Sequence, residues 1–288
     1  MRDFEAFYTE MHAEDIEPHV VELESKVGSK PYQADSSAEI EQLFEYLQGL
    51  IMLNRHAEAS TVFTALRPII DEFREKHPDD EGALDYFFEW SMLALRLTVE
   101  SRSSFVSLPL YHELLETFDE GPVKLRYRGV QARSQLVRHL DFWIGKGGNP
   151  DNLPEEDMAF IVQAKDEYEA RSEAAIEEVL EREDYVAAVR LLRNAAQFYM
   201  MMNRPNDVIA SYKEALEYVP LTPNYHESDM ADIYMQLGQV FLGYKKFEVA
   251  KRYFVQARDI YEAGGEDLEM LAFQADGWVE EVSKKIKA

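Results

Sequence analysis

The sequence contains no cysteine, which removes disulfide bonds, thiolate nucleophiles and cysteine-ligated metal together. Glycine is scarce, 13 in 288 residues, so few breaks interrupt regular elements. The one glycine-rich stretch, GKGGNP from Gly145, lacks the Lys-Ser or Lys-Thr helix start and the preceding strand that a phosphate loop needs. Positive charge is short as well: 30 Lys and Arg stand against 55 Asp and Glu, for a net charge of −25. That excess repels nucleic acid and anionic lipid at long range, so either would need a local basic patch. It is also compatible with a salt-tolerant source. No uncharged apolar run approaches the roughly 18 residues that span a bilayer. The start, MRDFEAFYTEM, has neither a basic n-region nor an apolar h-region. The expectation is a soluble, cytoplasmic protein with no membrane and no nucleic-acid partner. Strand-like alternation is also hard to find, which leaves helices.

What is present fits that reading. Hydrophobic residues make up 46% of the chain and aromatics 12%, ample for a sizeable core. Apolar positions recur at spacings of three and four, and the breaks between them leave about a dozen helices. The most linker-like segment is GKGGNPDNLPEED, Gly145–Asp157. It divides the chain into 1–150, N-terminal helical hairpins with one clearer repeat at 40–76, and 151–288, a C-terminal repeat domain with a capping helix.

Internal repetition decides the architecture. A shift of 42 residues lays Leu192, Ala195, Ala196, Tyr199, Val208, Tyr212 and Ala215 on Tyr234, Leu237, Gly238, Phe241, Ala250, Phe254 and Ala257. A third copy holds Leu43, Tyr46, Leu47, Leu50, Ala59, Phe63 and Leu66 at the same offsets. The unit is two helices and a short turn. The small residue at Gly238 lets the second helix approach closely enough for Ala250, Phe254 and Ala257 to interlock. Each hairpin still leaves an apolar face open, so hairpins must stack into a solenoid.

YxxLGxxF followed by AxxxFxxA resembles the tetratricopeptide repeat (TPR). Pro220 takes the closing-proline position of the middle copy. The spacing exceeds the family's usual length of about 34 residues, and Trp is absent from the first position. The longer spacing is similar to that of kinesin light chain and of bacterial quorum-sensing receptors. The resemblance implies an all-α, right-handed superhelix of antiparallel hairpins, closed by a capping helix over Asp267–Lys287.

Chemistry-bearing motifs are few. The seven histidines form no His-x-x-x-His or Glu-x-x-His pair, and the densest His/carboxylate cluster (His12, His19, Glu14, Asp15, Glu17) reads as a solvated helix. No nucleophile has an evident base, so no catalytic residue, metal or cofactor is expected. The segment Lys124–Lys146 carries six basic residues against the single acid Asp141. Arg126, Arg128, Arg133 and Arg138 there either dock an acidic partner or are neutralised by acids such as Glu155–Asp157 and Glu167–Glu169.

The sharpest candidate lies in FYMMMNRPNDV, Phe198–Val208. At about 100° per residue, Leu192, Ala195, Ala196, Tyr199 and Met202 share one face. Arg190, Arg193, Asn194, Gln197, Met200 and Met201 share the other. The TPR resemblance implies that this second face lines a concave peptide groove, along with Met235, Gln236 and Gln239 in the next copy and Phe44 and Gln48 in the first. Gln48, Gln197 and Gln239 occupy one repeat position, where an amide can bond a ligand backbone. Arg190, Arg193 and Asn194 resemble residues that clamp a terminal carboxylate in some TPR proteins. The expected function is a non-catalytic adaptor or scaffold that binds a protein or peptide segment, including acidic or carboxylate-terminated ones. The alternative is a peptide-responsive regulator in which groove binding alters how the N-terminal helices engage a response partner.

Overall fold

The computed structural model describes residues 13–28, 31–78, 80–100, 108–223, 225–265 and 268–287. Among them every long element is an α-helix and no strand occurs, as the periodicity predicts. No helix among the described residues is long and apolar enough to cross a membrane. His12, Asp267 and the break expected over 101–107 lie outside the described residues. The chain divides into two compact units, 1–110 and 111–288.

The first unit contains α1 (Ala13–Val27), α2 (Ser37–Met52), α3 (His56–Lys76) and α4 (Glu81–Glu100). A capping box starts α2. The Ser36 hydroxyl oxygen accepts the Glu39 N–H, and the Glu39 carboxylate accepts the Ser36 N–H at 3.1 Å, so two otherwise orphaned donors are satisfied. Apolar residues one helical turn apart (Ile40, Leu43, Leu47 and Leu50) are buried. They face the helices on either side, since α1 and α3 both pack on α2 and α4 packs on α3.

The second unit runs from α5 (Leu108–Asp119), within which the division falls, through α6 (Arg126–Gly145), α7 (Glu155–Glu181), α8 (Tyr185–Met201), α9 (Pro205–Tyr218), α10 (Glu227–Gly243), α11 (Phe247–Ala263) and α12 (Glu269–Lys287). From α6 onward each helix packs on the next, and α6 also packs on α8. One buried cluster joins α6 to α10 through Val137, Tyr168, Leu192, Tyr212 and Leu237. A second joins α10, α11 and α12 through Met235, Phe254, Tyr261 and Ala275. The segment expected to join two domains, Gly145–Asp157, lies inside this unit and connects α6 to α7, which pack on each other. Its glycines and prolines end one helix, and Glu155, Glu156 and Asp157 then open the next where the helix dipole favours acids. Such punctuation does not distinguish a turn from a boundary.

One turn recurs four times. Asn54, Glu183, Asn203 and Lys245 have φ of 56°, 58°, 54° and 57°. In each case the following residue donates its N–H five residues back at 2.9 Å: Arg55 to Leu50, Asp184 to Val179, Arg204 to Tyr199 and Lys246 to Phe241. These left-handed closures satisfy a last-turn carbonyl and release the chain into the next helix. Three of them end the first helix of the three repeat copies. The fourth, between α7 and α8, carries no asparagine or glycine to announce it.

Gly238 acts as the sequence suggests. A Cβ built there would lie 2.5 Å from the Phe254 ring, so only glycine lets α11 pack this closely on α10.

Candidate functional site

The helix α8 buries an arc of its surface through Ala187, Ala188, Val189, Leu191, Leu192, Ala195, Ala196, Phe198 and Tyr199. Such a wide arc is needed because α6, α7 and α9 all pack on it. Left outside it are the six residues expected to face a ligand. Arg190, Arg193, Asn194, Gln197 and Met201 are half-buried, and Met200 is 45% exposed. Met201 also packs against the core cluster, as does Met202. Among the described residues Arg193 and Asn194 make no hydrogen bond or ion pair, and the Gln197 carbonyl oxygen is buried without a donor. A buried acceptor left unmet is costly, by about 1–3 kcal/mol.

On α10 the open stripe is narrower, made of half-buried Asp232 and Gln236 and exposed Gln239. Met235, expected to line the same wall, is instead 7% exposed and belongs to the cluster shared with α11 and α12. The cluster that takes it in draws on α11 and α12, and helix periodicity alone does not say where later helices dock. Gln48 is half-buried on α2 in the first unit. Phe44, at the position of Arg193 in that copy, is 3% exposed and stacks on Tyr86 with centroids 6.3 Å apart, so it is core and not wall.

The basic cluster separates into different environments. Arg126 is exposed. Arg128 is 5% exposed, with its guanidinium 5.0 Å from the centre of the Tyr127 ring. Arg133 is 3% exposed, held by two hydrogen bonds to the Asp119 carboxylate and one of 3.2 Å to Glu167. The Gln163 amide, followed by Arg171 and Arg133, holds the Glu167 carboxyl below the usual carboxylate range. A docking patch that includes Arg128 and Arg133 is therefore not available: both are buried, and neighbouring acids neutralise Arg133. Arg138 differs. It is half-buried on α6, and among the described residues it has no hydrogen bond or ion pair.

Among the described residues no three His, Asp or Glu side chains are grouped to hold a metal. Of the expected His/carboxylate cluster, His19 turns away to Glu45, with 2.8 Å between Nε2 and the carboxylate.

Two features escape sequence reading. Arg204, noted only as a turn residue, makes two 2.9 Å hydrogen bonds to Glu169 and one of 2.7 Å to Asp207, and its guanidinium lies 4.6 Å from the Tyr199 ring centre. It ties the α8–α9 turn to α7. In the first unit a groove of about 860 Å³ opens between residues 31–35 and α3, lined by Tyr32, Asp35, Ser60, Thr64, Pro68 and Glu72 among others. No residue in that stretch carries a recognisable binding motif.

No family model matches the chain. No curated protein matches it either. Among solved structures it is similar to the crystal structure of BtubC (BKLC) from P. vanneervenii, at 16% identity over 96% of this chain and 91% of that one. The TM-score is 0.39, a level at which the likeness carries no argument.

Proposed function

We propose that the second unit is a TPR-like stack of helical hairpins that binds a peptide or protein segment across the open stripes of α8 and α10, as a non-catalytic adaptor. One observation carries the reading. The α8 stripe sets Arg193 and Asn194, unpaired among the described residues, an unmet Gln197 carbonyl oxygen and exposed Met200 side by side. In a chain with 55 acids, leaving Arg193 without a carboxylate among the described residues is a feature that a ligand would complete. Gln197 and Gln239, which recur at one repeat position, suit a backbone amide whatever side chains the ligand bears. Met200 offers a flexible thioether to an irregular apolar surface.

The second reading is a regulator in which occupancy of this face changes how the first unit engages another protein. The division of the chain into two compact units supports it. Peptides selected by display on the 288-residue chain test the primary reading. Arg193→Glu combined with Gln197→Ala abolishes their binding while helicity and melting temperature stay close to those of the parent. Unchanged affinity in a folded double variant contradicts the assignment.

A further inference from the structure

Met270 and Phe273 on α12 are the most exposed large hydrophobic side chains among the described residues, at 77% and 76%. Leaving them in water forgoes the gain from burying their apolar area. The opposite side of the same helix is fully used. Ala272, Ala275, Val279 and Val282 are buried in the cluster shared with α10 and α11. The apolar residues of α12 thus form two stripes, and among the described residues only one is covered.

Gly277 completes the open stripe. At about 100° per residue it lies roughly 20° from Met270 and 40° from Phe273 around the helix axis, and a Cβ built there meets nothing within 4 Å. Alanine favours the helix more at such an interior position, so no contact within the described chain calls for glycine. A missing side chain in an apolar stripe lets another helix approach closely, as Gly238 does for α11.

Charge selects that helix. Glu269 and Lys287 are exposed, make no ion pair among the described residues, and lie on one flank, about 80° from Gly277. Lys284 on the same side is 79% exposed and comes no nearer than 3.8 Å to Glu280. When two copies of one helix pair antiparallel about a two-fold axis, like flanks meet. With the crossing at Gly277, Glu269 stands about 12 Å from it and falls between Lys284 and Lys287 of the second copy, about 10 and 15 Å along. The same contact forms again on the other side of the axis. A parallel pair sets the acidic end against the acidic end and the lysines against the lysines.

We propose that the Met270–Phe273–Gly277 face of α12 docks a second copy of this chain as an antiparallel, two-fold symmetric helix pair. Met270 and Phe273 of each copy flank the crossing, and the Lys284 stems lie over Met270. One helix pair is a small interface, under about 1,200 Å². Two chains of net charge −25 also repel, an effect that salt screens beyond about 8 Å at physiological strength. Association is therefore weak, with Kd on the order of 10–100 μM. The open stripe of α8 takes no part in it.

Sedimentation velocity of the 288-residue chain from about 2 to about 400 μM, in roughly 0.15 M salt, tests the pairing. The expected result is a reversible monomer–dimer equilibrium. Phe273→Ser and Met270→Gln change exposed positions, keep the circular dichroism of the parent, and each weaken dimerisation by roughly tenfold or more. Glu269→Lys in one chain, and Lys284→Glu with Lys287→Glu in another, each weaken self-association. An equimolar mixture of those two chains restores it, because every antiparallel contact is again between opposite charges. A parent that stays monomeric throughout, or a dimer untouched by Phe273→Ser, overturns the proposal and leaves the stripe to a partner of another kind. A mixture that fails to restore association overturns the antiparallel pairing. At the low-micromolar concentrations of a urea melt the chain is monomeric, so fold stability and association are read separately.

Discussion

One added methyl group at Gly238 tests how closely the hairpin helices approach. Helix propensity alone favours Ala over Gly by about 0.8–1 kcal/mol in a helix interior. The structure opposes it. The new Cβ would lie 2.5, 2.6 and 2.9 Å from three atoms of the Phe254 ring, where carbon atoms prefer roughly 3.5–4.0 Å. The ring has no free direction in which to yield. It is 0% exposed and stacks on Trp278 at 5.6 Å with an interplanar angle of 15°. Overpacking of this kind costs about 1–3 kcal/mol. Set against the gain in propensity, Gly238→Ala is destabilising by roughly 1 kcal/mol. Gly277 on α12 is the internal control, because a Cβ there meets nothing within 4 Å. Gly277→Ala therefore stabilises by about the full propensity difference. Urea denaturation followed by circular dichroism reads both variants against the parent. Equal stabilisation by the two substitutions refutes the close α10–α11 contact, and adding Phe254→Leu to Gly238→Ala relieves part of the loss if the contact is real.

Removing the charge of Arg133 with Arg133→Met leaves Asp119 and Glu167 without their partner and lowers stability by about 3 kcal/mol; urea melts read the loss, and an effect confined to partner binding contradicts the internal role. Glu183 and Lys245 occupy the left-handed region without being glycine or asparagine, so Glu183→Gly stabilises by up to about 1 kcal/mol, whereas Asn203→Gly is close to neutral. Burial pushes the His139 imidazole down to about 4. Its contribution to stability is therefore complete above the unfolded value of about 6.5 and is lost as pH falls toward 4. Melts between pH 7 and 4 show less acid lability in His139→Gln than in the parent, and identical profiles refute the assignment.

The elements legible in the sequence are those fixed by local periodicity and turn chemistry. Asn54 and Asn203 announce their turns because asparagine tolerates positive φ, and the open stripe of α8 follows from 3.6-residue spacing without knowledge of its neighbours. Met235 does not, because the cluster that covers it includes α12, whose docking is a long-range event. Arg133 and Arg138 look alike in a basic run, yet Asp119 and Glu167 reach only the first.

The central claim is that a ligand occupies the open stripe of α8. Methyl NMR of the 288-residue chain tests it most directly, with a display-selected peptide added to protein labelled at its 11 methionines. Met200 at 45% exposure and Met201 beside it shift on binding, while Met270, 77% exposed on α12, stays in place. Shifts centred on Met270, with Met200 and Met201 unmoved by a bound peptide, contradict the account.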